Sequence, residues 1–163
     1  MANILLIASA GISAVPADFI QWITAYNAQG HKFIVGDSKN SDAVLHRALS
    51  SVGAAENTTV YSMGAPNSNV YKFNTVEYLT SYNEELCTVT ISGGDLAEPY
   101  IIEDVKKEID IQNNKQWYEF KDRRMIENCS MAIVVASGEL SRRVDHIIQI
   151  LNIRSIPCYV LSI

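Results

Sequence analysis

The chain has 163 residues, of which 48% are hydrophobic and 19% charged, the balance of a folded globule and not of a disordered segment. That length suits one domain, residues 1–163, large enough to bury about two-thirds of the surface its unfolded form exposes. A net charge of −5 and a pI near 5.1, with no Lys/Arg-dense stripe, argue against a surface for duplex nucleic acid.

The N-terminus MANILLIASAGISAV has an apolar run but no basic region before it, so it reads as a first strand and not as a signal peptide. No apolar segment approaches the ~20 residues of a membrane span. Cys87, Cys129 and Cys158 are widely separated, odd in number and free of Cys-x-x-Cys or Cys/His spacing. The expectation is reduced thiols in a cytoplasmic chain, with no metal and no cofactor.

Asn3 to Ala8 is an uninterrupted apolar run, the pattern of a central strand buried on both faces of a parallel sheet. Ser9, Gly11 and Ser13 lie in the small-residue loop that follows. Pro16 and Asp18 suit a helix start, Phe19, Trp22, Ile23 and Tyr26 form its apolar stripe, and Gly30 suits its end.

Next, Phe33-Ile34-Val35 is followed by Gly36-Asp37-Ser38-Lys39-Asn40-Ser41-Asp42 and then by Val44, Leu45, Ala48, Leu49 and Val52 at helical spacing. This is strand, tight loop, helix. The first N–H groups of a helix lack intrahelical partners and carry the positive end of its dipole, so the loop suits a phosphate or carboxylate. The plainer reading is that Ser41 or Asn40 caps the helix and the loop only turns the chain.

A third strand follows at Thr58 to Ser62. Met63 to Asn69 is a loop by its turn residues, Cys87 to Ile91 a short strand, Ser92 to Asp95 a turn, and Glu98 to Gln112 a surface helix. Trp117 to Cys129 is a helix with Lys121 and Asp122 near its start. Met131 to Ala136 is a buried strand, and Gly138 lies in the loop leading to a helix with inner residues Val144, Ile147, Ile148 and Leu151. Ile156 to Leu161 closes the sheet, with Pro157 suiting an edge. The whole predicts an α/β chain: a single Rossmann-like, doubly wound parallel sheet of about five strands in the order 3-2-1-4-5, with an irregular insertion before strand four. Ligands of such sheets sit beyond the carboxyl ends of the strands.

The motifs Gly36-Asp37-Ser38-Lys39-Asn40-Ser41-Asp42, Thr58-Thr59-Val60-Tyr61 and Lys121-Asp122-Arg123-Arg124-Met125 resemble those of a branch of the SLOG superfamily. In that branch they read G-D-x-x-G-x-D, V-x-V-Y and K-D-x-x-M. The superfamily includes phosphoribohydrolases of the cytokinin-activating type and sensors of nucleotide-derived signals. The resemblance spans residues 3 to 62 and 117 to 163. It implies a nucleotide or nucleotide-derived ligand, and a homodimer or larger homo-oligomer.

The chain departs from the family in several places. Asn40 replaces a glycine, which Asn tolerates because it enters left-handed conformations readily. After strand one, Ala10-Gly11-Ile12-Ser13 stands where Gly-Ser-Arg-Ser is common. After strand four, Arg142, Arg143 and His146 take the places of Gly, Thr and Asn. Two arginines reach an anion through forked charged donors, where Gly-Thr lets backbone approach. As neighbours on a helix they point in different directions. The catalytic motif P-G-G-x-G-T-x-x-E is absent. Two readings follow: a module that senses or sequesters its ligand, favoured by the missing glutamate, or an N-glycosidic-bond enzyme of the phosphoribohydrolase or deoxyribosyltransferase kind. For the enzyme Asp122 is the preferred carboxylate, and its alternative role is a helix N-cap.

Overall fold

The apolar run Ile4 to Ala8 lies inside the sheet, with strands to pair with on both sides and helices over both faces. The computed structural model describes residues 1–37, 41–63, 75–79, 86–90 and 115–163. Among them are seven strands: β1 (Asn3–Ala8), β2 (Lys32–Val35), β3 (Thr58–Met63), β4 (Thr75–Leu79), β5 (Leu86–Thr90), β6 (Met131–Ala136) and β7 (Cys158–Ser162). They form one sheet in the order β5-β4-β3-β2-β1-β6-β7. β1 pairs in parallel with β2, from Asn3 opposite Lys32 to Leu5 opposite Ile34, and with β6, from Ile4 opposite Met131 to Ala8 opposite Val135.

The expected parallel frame is present as β3-β2-β1-β6-β7. The segment before β6, expected to be irregular apart from one short strand and a surface helix, extends this frame. β4 lies parallel to β3, and β5 runs antiparallel along β4. The strand expected at Cys87 to Ile91 is β5, and β4 was not anticipated. Its sequence, Thr-Val-Glu-Tyr-Leu, lacks the continuous apolar run that announces a strand buried on both faces. The turn expected at 92–95, the helix at 98–112 and the loop beyond Met63 lie outside the described residues.

Alternation along β1 divides the core. Ile4, Leu6 and Ala8 pack with Phe33, Val35, Val60, Ile133 and Val135 under helices α1 (Ala17–Ala28) and α2 (Ser41–Ser51), which contribute Phe19, Ile23, Leu45 and Leu49. Leu5 and Ile7 pack on the other face with Ile34, Tyr61, Ala132 and Val134. There α3 (Lys115–Asn128) and α4 (Arg142–Ile153) contribute Met125, Ile126, Val144, Ile147 and Leu151. A strand with side chains alternating at period two thus feeds two hydrophobic layers at once. Trp22, expected in the buried stripe of α1, is 37% exposed, while Phe19 and Ile23 are fully buried. It lies on the shoulder of the helix, where an aromatic ring keeps one face in water.

The helix ends follow local chemistry. α1 begins after Pro16 with no side-chain cap and ends where Gly30 adopts φ +83°. There Gly30 N–H donates to Asn27 O (3.0 Å) and His31 N–H to Tyr26 O (3.1 Å), satisfying carbonyls that would otherwise be orphaned. α4 has the opposite arrangement: Ser141 Oγ accepts from Val144 N–H at 3.2 Å. No helix among the described residues is long and apolar enough to cross a membrane. Replacing Ser141 with Ala should cost about 1 kcal/mol of stability and Ser141→Asp should restore it, because a carboxylate accepts the same N–H and favours the helix dipole. Urea midpoints of the three proteins check this.

Candidate functional site

The parallel strands end on one edge, and the chemistry-bearing residues described there come from β2, α2, α3 and α4. β2 stops at Val35 and the chain turns through Gly36 and Asp37. α2 starts at Ser41 and buries Asp42 in its first turn and His46 one turn later. From the middle of α3 come Lys121, 1% exposed, and Asp122, 7% exposed.

Lys121 Nζ lies 3.6 Å from Asp37 Oδ1, within ion-pair reach though longer than a hydrogen bond. A side chain on Gly36 would place its Cβ 2.6 Å from Asp42 Oδ2 and 3.2 Å from Lys121 Nζ. The carboxylate and the ammonium therefore both press on the bare Cα, which requires glycine for its lack of volume. His46 Nε2 is 2.7 Å from the Gly36 carbonyl. The carbonyl can only accept, so Nε2 carries the proton. Burial pushes this imidazole below its ordinary range and the charge of Lys121 adds to that, against the opposing pull of the Gly36 bond and of the Asp42 and Asp37 charges.

Asp122 is bound on both oxygens by Arg143: Nε donates to Oδ2 at 2.9 Å and Nη2 to Oδ1 at 2.8 Å. This fork locks α3 to α4 at the same edge. One expectation needs correction. α3 begins at Lys115, so Lys121 and Asp122 sit about two turns inside the helix, and Asp122 is not its N-cap. Arg143, one of the two arginines expected to reach an anion, has its fork on this buried carboxylate. Arg142 and His146 are exposed, as expected when the neighbouring arginine turns inward.

The first loop contributes differently. Ser9 is buried, its N–H donates to Val135 O (2.9 Å) and its Oγ accepts from Ser137 N–H (3.1 Å). The loops after β1 and β6 are tied together by this one side chain. Gly11 and Gly138 take positive φ, +86° and +65°, with no atom within 4 Å of where a Cβ would stand; their role is to turn the chain. Ser13 is exposed and Ser41 half-buried. Ser38, Lys39 and Asn40, the rest of the anticipated anion loop, lie outside the described residues.

His46, buried here, went unnoticed in the sequence. Asp42-x-x-x-His46 places the two on one face of α2, one turn apart, which is the signal that would have found the histidine. A cleft of about 380 Å³ opens at the opposite, amino edge, among Asn3, Lys32, Asn57, Thr59, Tyr61 and Asn128. Its polar walls are bonded to one another or to neighbours: Lys32 Nζ to Asn57 Oδ1 (2.8 Å), Asn57 Nδ2 to Asn27 Oδ1 (2.8 Å) and Asn3 Nδ2 to Asn128 O (3.2 Å). The charged cluster is not in it, and the chemistry of the cluster outweighs the volume of the cleft as the mark of a site. Cys129 and Cys158 are free thiols. Burial pushes Cys129 up to about 11 and raises Cys158 as well, so neither is an activated nucleophile.

Comparison with protein families, with curated proteins and with solved structures yields no match.

Because folding lowers the proton affinity of His46 from its ordinary 6.5, the unfolded chain takes the proton first as pH falls. This residue should therefore subtract stability below about pH 6.5, by up to ~1.4 kcal/mol per pH unit, until the native imidazole also titrates. His46→Gln, whose amide can still donate to Gly36 O, should remove that slope. Urea midpoints of parent and variant from about pH 7.5 to 5 check it, the difference between the two curves isolating His46 from the carboxylates.

Proposed function

We propose that this chain binds a nucleotide or nucleotide-derived small molecule over the carboxyl edge of its sheet, as a sensor or sequestering module. The observation that carries the reading is the gathering of buried Asp37, Asp42, Lys121 and Asp122 at that edge. A core requires no charge there, and each buried ion costs several kcal/mol before its partners offset the loss. Groups retained at such cost, at the ligand edge of a doubly wound sheet, suit a ligand with both hydroxyls and anionic oxygens. The start of α2 is where the helix dipole favours an anion, and Asp37 and Asp42 beside it are carboxylates whose remaining lone pairs suit sugar hydroxyls. The class of ligand rests on the resemblance to the SLOG superfamily.

The N-glycosidic reading has less support. Its preferred carboxylate, Asp122, has both oxygens engaged by Arg143, and a nucleophile or oxocarbenium-stabilising group must be able to turn toward the sugar.

The two arginines give the test. Arg142→Ala should weaken nucleotide binding by about 1.5 to 3 kcal/mol, roughly ten- to hundredfold, if this exposed fork meets a phosphate. Its unfolding midpoint should barely move, since exposed substitutions usually cost ~0.5 kcal/mol or less. Arg143→Ala should instead lose about 1.5 to 3 kcal/mol of stability by stranding buried Asp122. Calorimetric titration with mono-, di- and cyclic nucleotides, beside a melting curve for each protein, separates the effects. Absence of heat with every nucleotide refutes the reading, and release of free base on prolonged incubation would move it to the enzyme alternative.

A further inference from the structure

Arg143 is the second residue of α4, in the turn that carries the positive end of the helix dipole. The anion that meets it there comes from another helix. Asp122, in the middle of α3, accepts from both arms of the fork, Oδ2 from Nε at 2.9 Å and Oδ1 from Nη2 at 2.8 Å. The partners differ in their access to water: the Arg143 side chain is 31% exposed and that of Asp122 only 10%. The guanidinium can thus be approached from solution, on the edge where ligands of such sheets lie, while the carboxylate reaches it from the protein side.

Neither helix depends on this pair to pack. Met125, Ile126, Val144, Ile147 and Leu151 already hold α3 and α4 to the sheet, and a buried ion pair adds little over apolar residues of the same volume. A carboxylate and a phosphoryl group both offer a guanidinium two oxygens side by side. Asp122 therefore occupies Arg143 in the way a phosphate would.

We propose that Asp122 is a built-in competitor for Arg143: the phosphoryl group of the ligand takes the fork from it, and the link between α3 and α4 opens as the ligand binds. This regulation rests on the nucleotide-binding reading of the same edge. Arg143 is available only in the fraction of molecules in which Asp122 has let go, and the apparent affinity falls by that fraction. The cost of leaving Asp122 without its partner, in a place a tenth open to water, is what keeps that fraction small. Coupling is reciprocal, so a ligand that claims the fork loosens α3 from α4 to the same extent.

Asp122→Asn keeps the shape of the side chain and gives Arg143 a neutral partner that yields more readily. Calorimetric titration with AMP, and separately with inorganic phosphate, should show the variant binding about ten- to hundredfold tighter than the parent. Adenosine, which has no phosphoryl group, should bind the two proteins alike. A pair that only braces α3 against α4 gives a different result: the variant melts earlier and binds AMP no better than the parent. That outcome overturns the proposal and leaves the nucleotide reading standing, whereas absence of heat from AMP, phosphate and adenosine with both proteins overturns the two together. The parent supplies a second readout. Saturating AMP should move the NMR signal of the Arg143 Nε–H, because that group exchanges a carboxylate acceptor for a phosphoryl oxygen, and adenosine should leave it in place. An Arg143 Nε–H signal indifferent to saturating AMP overturns the proposal even where Asp122→Asn fails to fold.

Discussion

The ammonium of Lys121, all but removed from water, is the constraint around which the carboxyl edge is arranged. A buried cation must be met by negative charge and by polar contacts or it unfolds its surroundings. Here Asp37 lies at the end of β2, Asp42 in the first turn of α2, and the two pieces are linked by a turn that begins with a residue lacking Cβ. Strand end, helix start and the interior of α3 are thereby fixed relative to one another. The His46 bond to the Gly36 carbonyl adds orientation: it holds the peptide that leaves β2, and it comes from the same face of α2 that presents Asp42.

Two further links finish the edge. Ser9 bridges the loops after the two central strands, and the Asp122–Arg143 fork joins the helices of the second layer. The hydrophobic layers beneath do not depend on these polar contacts, since β1 alone supplies apolar side chains to both. Apolar burial is concentrated in the sheet and charge at its rim.

Much of the fold was legible in the sequence because each of the central strands is a short run of apolar residues bounded by turn formers, and each helix repeats them at three and four. The limits were equally physical. β4 carries Glu77 between Val76 and Tyr78, so alternation there is too weak to distinguish from a polar loop. The site was legible as motifs but not as roles. Gly36, Asp37, Asp42, Lys121 and Asp122 do come together, yet nothing in a one-dimensional pattern shows that Lys121 is buried, the least common fate of a lysine. Nor does it show which of two adjacent arginines turns inward. His46 escaped notice because a stripe counted only in apolar residues omits a histidine that is buried for its hydrogen bond.

The chain leaves the five-strand frame at Met63, the end of β3, adds β4 and β5 outside β3, and rejoins the frame at Lys115, the start of α3. Strands added beyond β3 widen the sheet on one flank and break no pairing among β3, β2, β1, β6 and β7. The charged cluster hangs on β2, α2, α3 and α4, none of which needs the added flank to hold its register. Relatives of such a chain can gain or lose outer strands while inheriting the cluster unchanged.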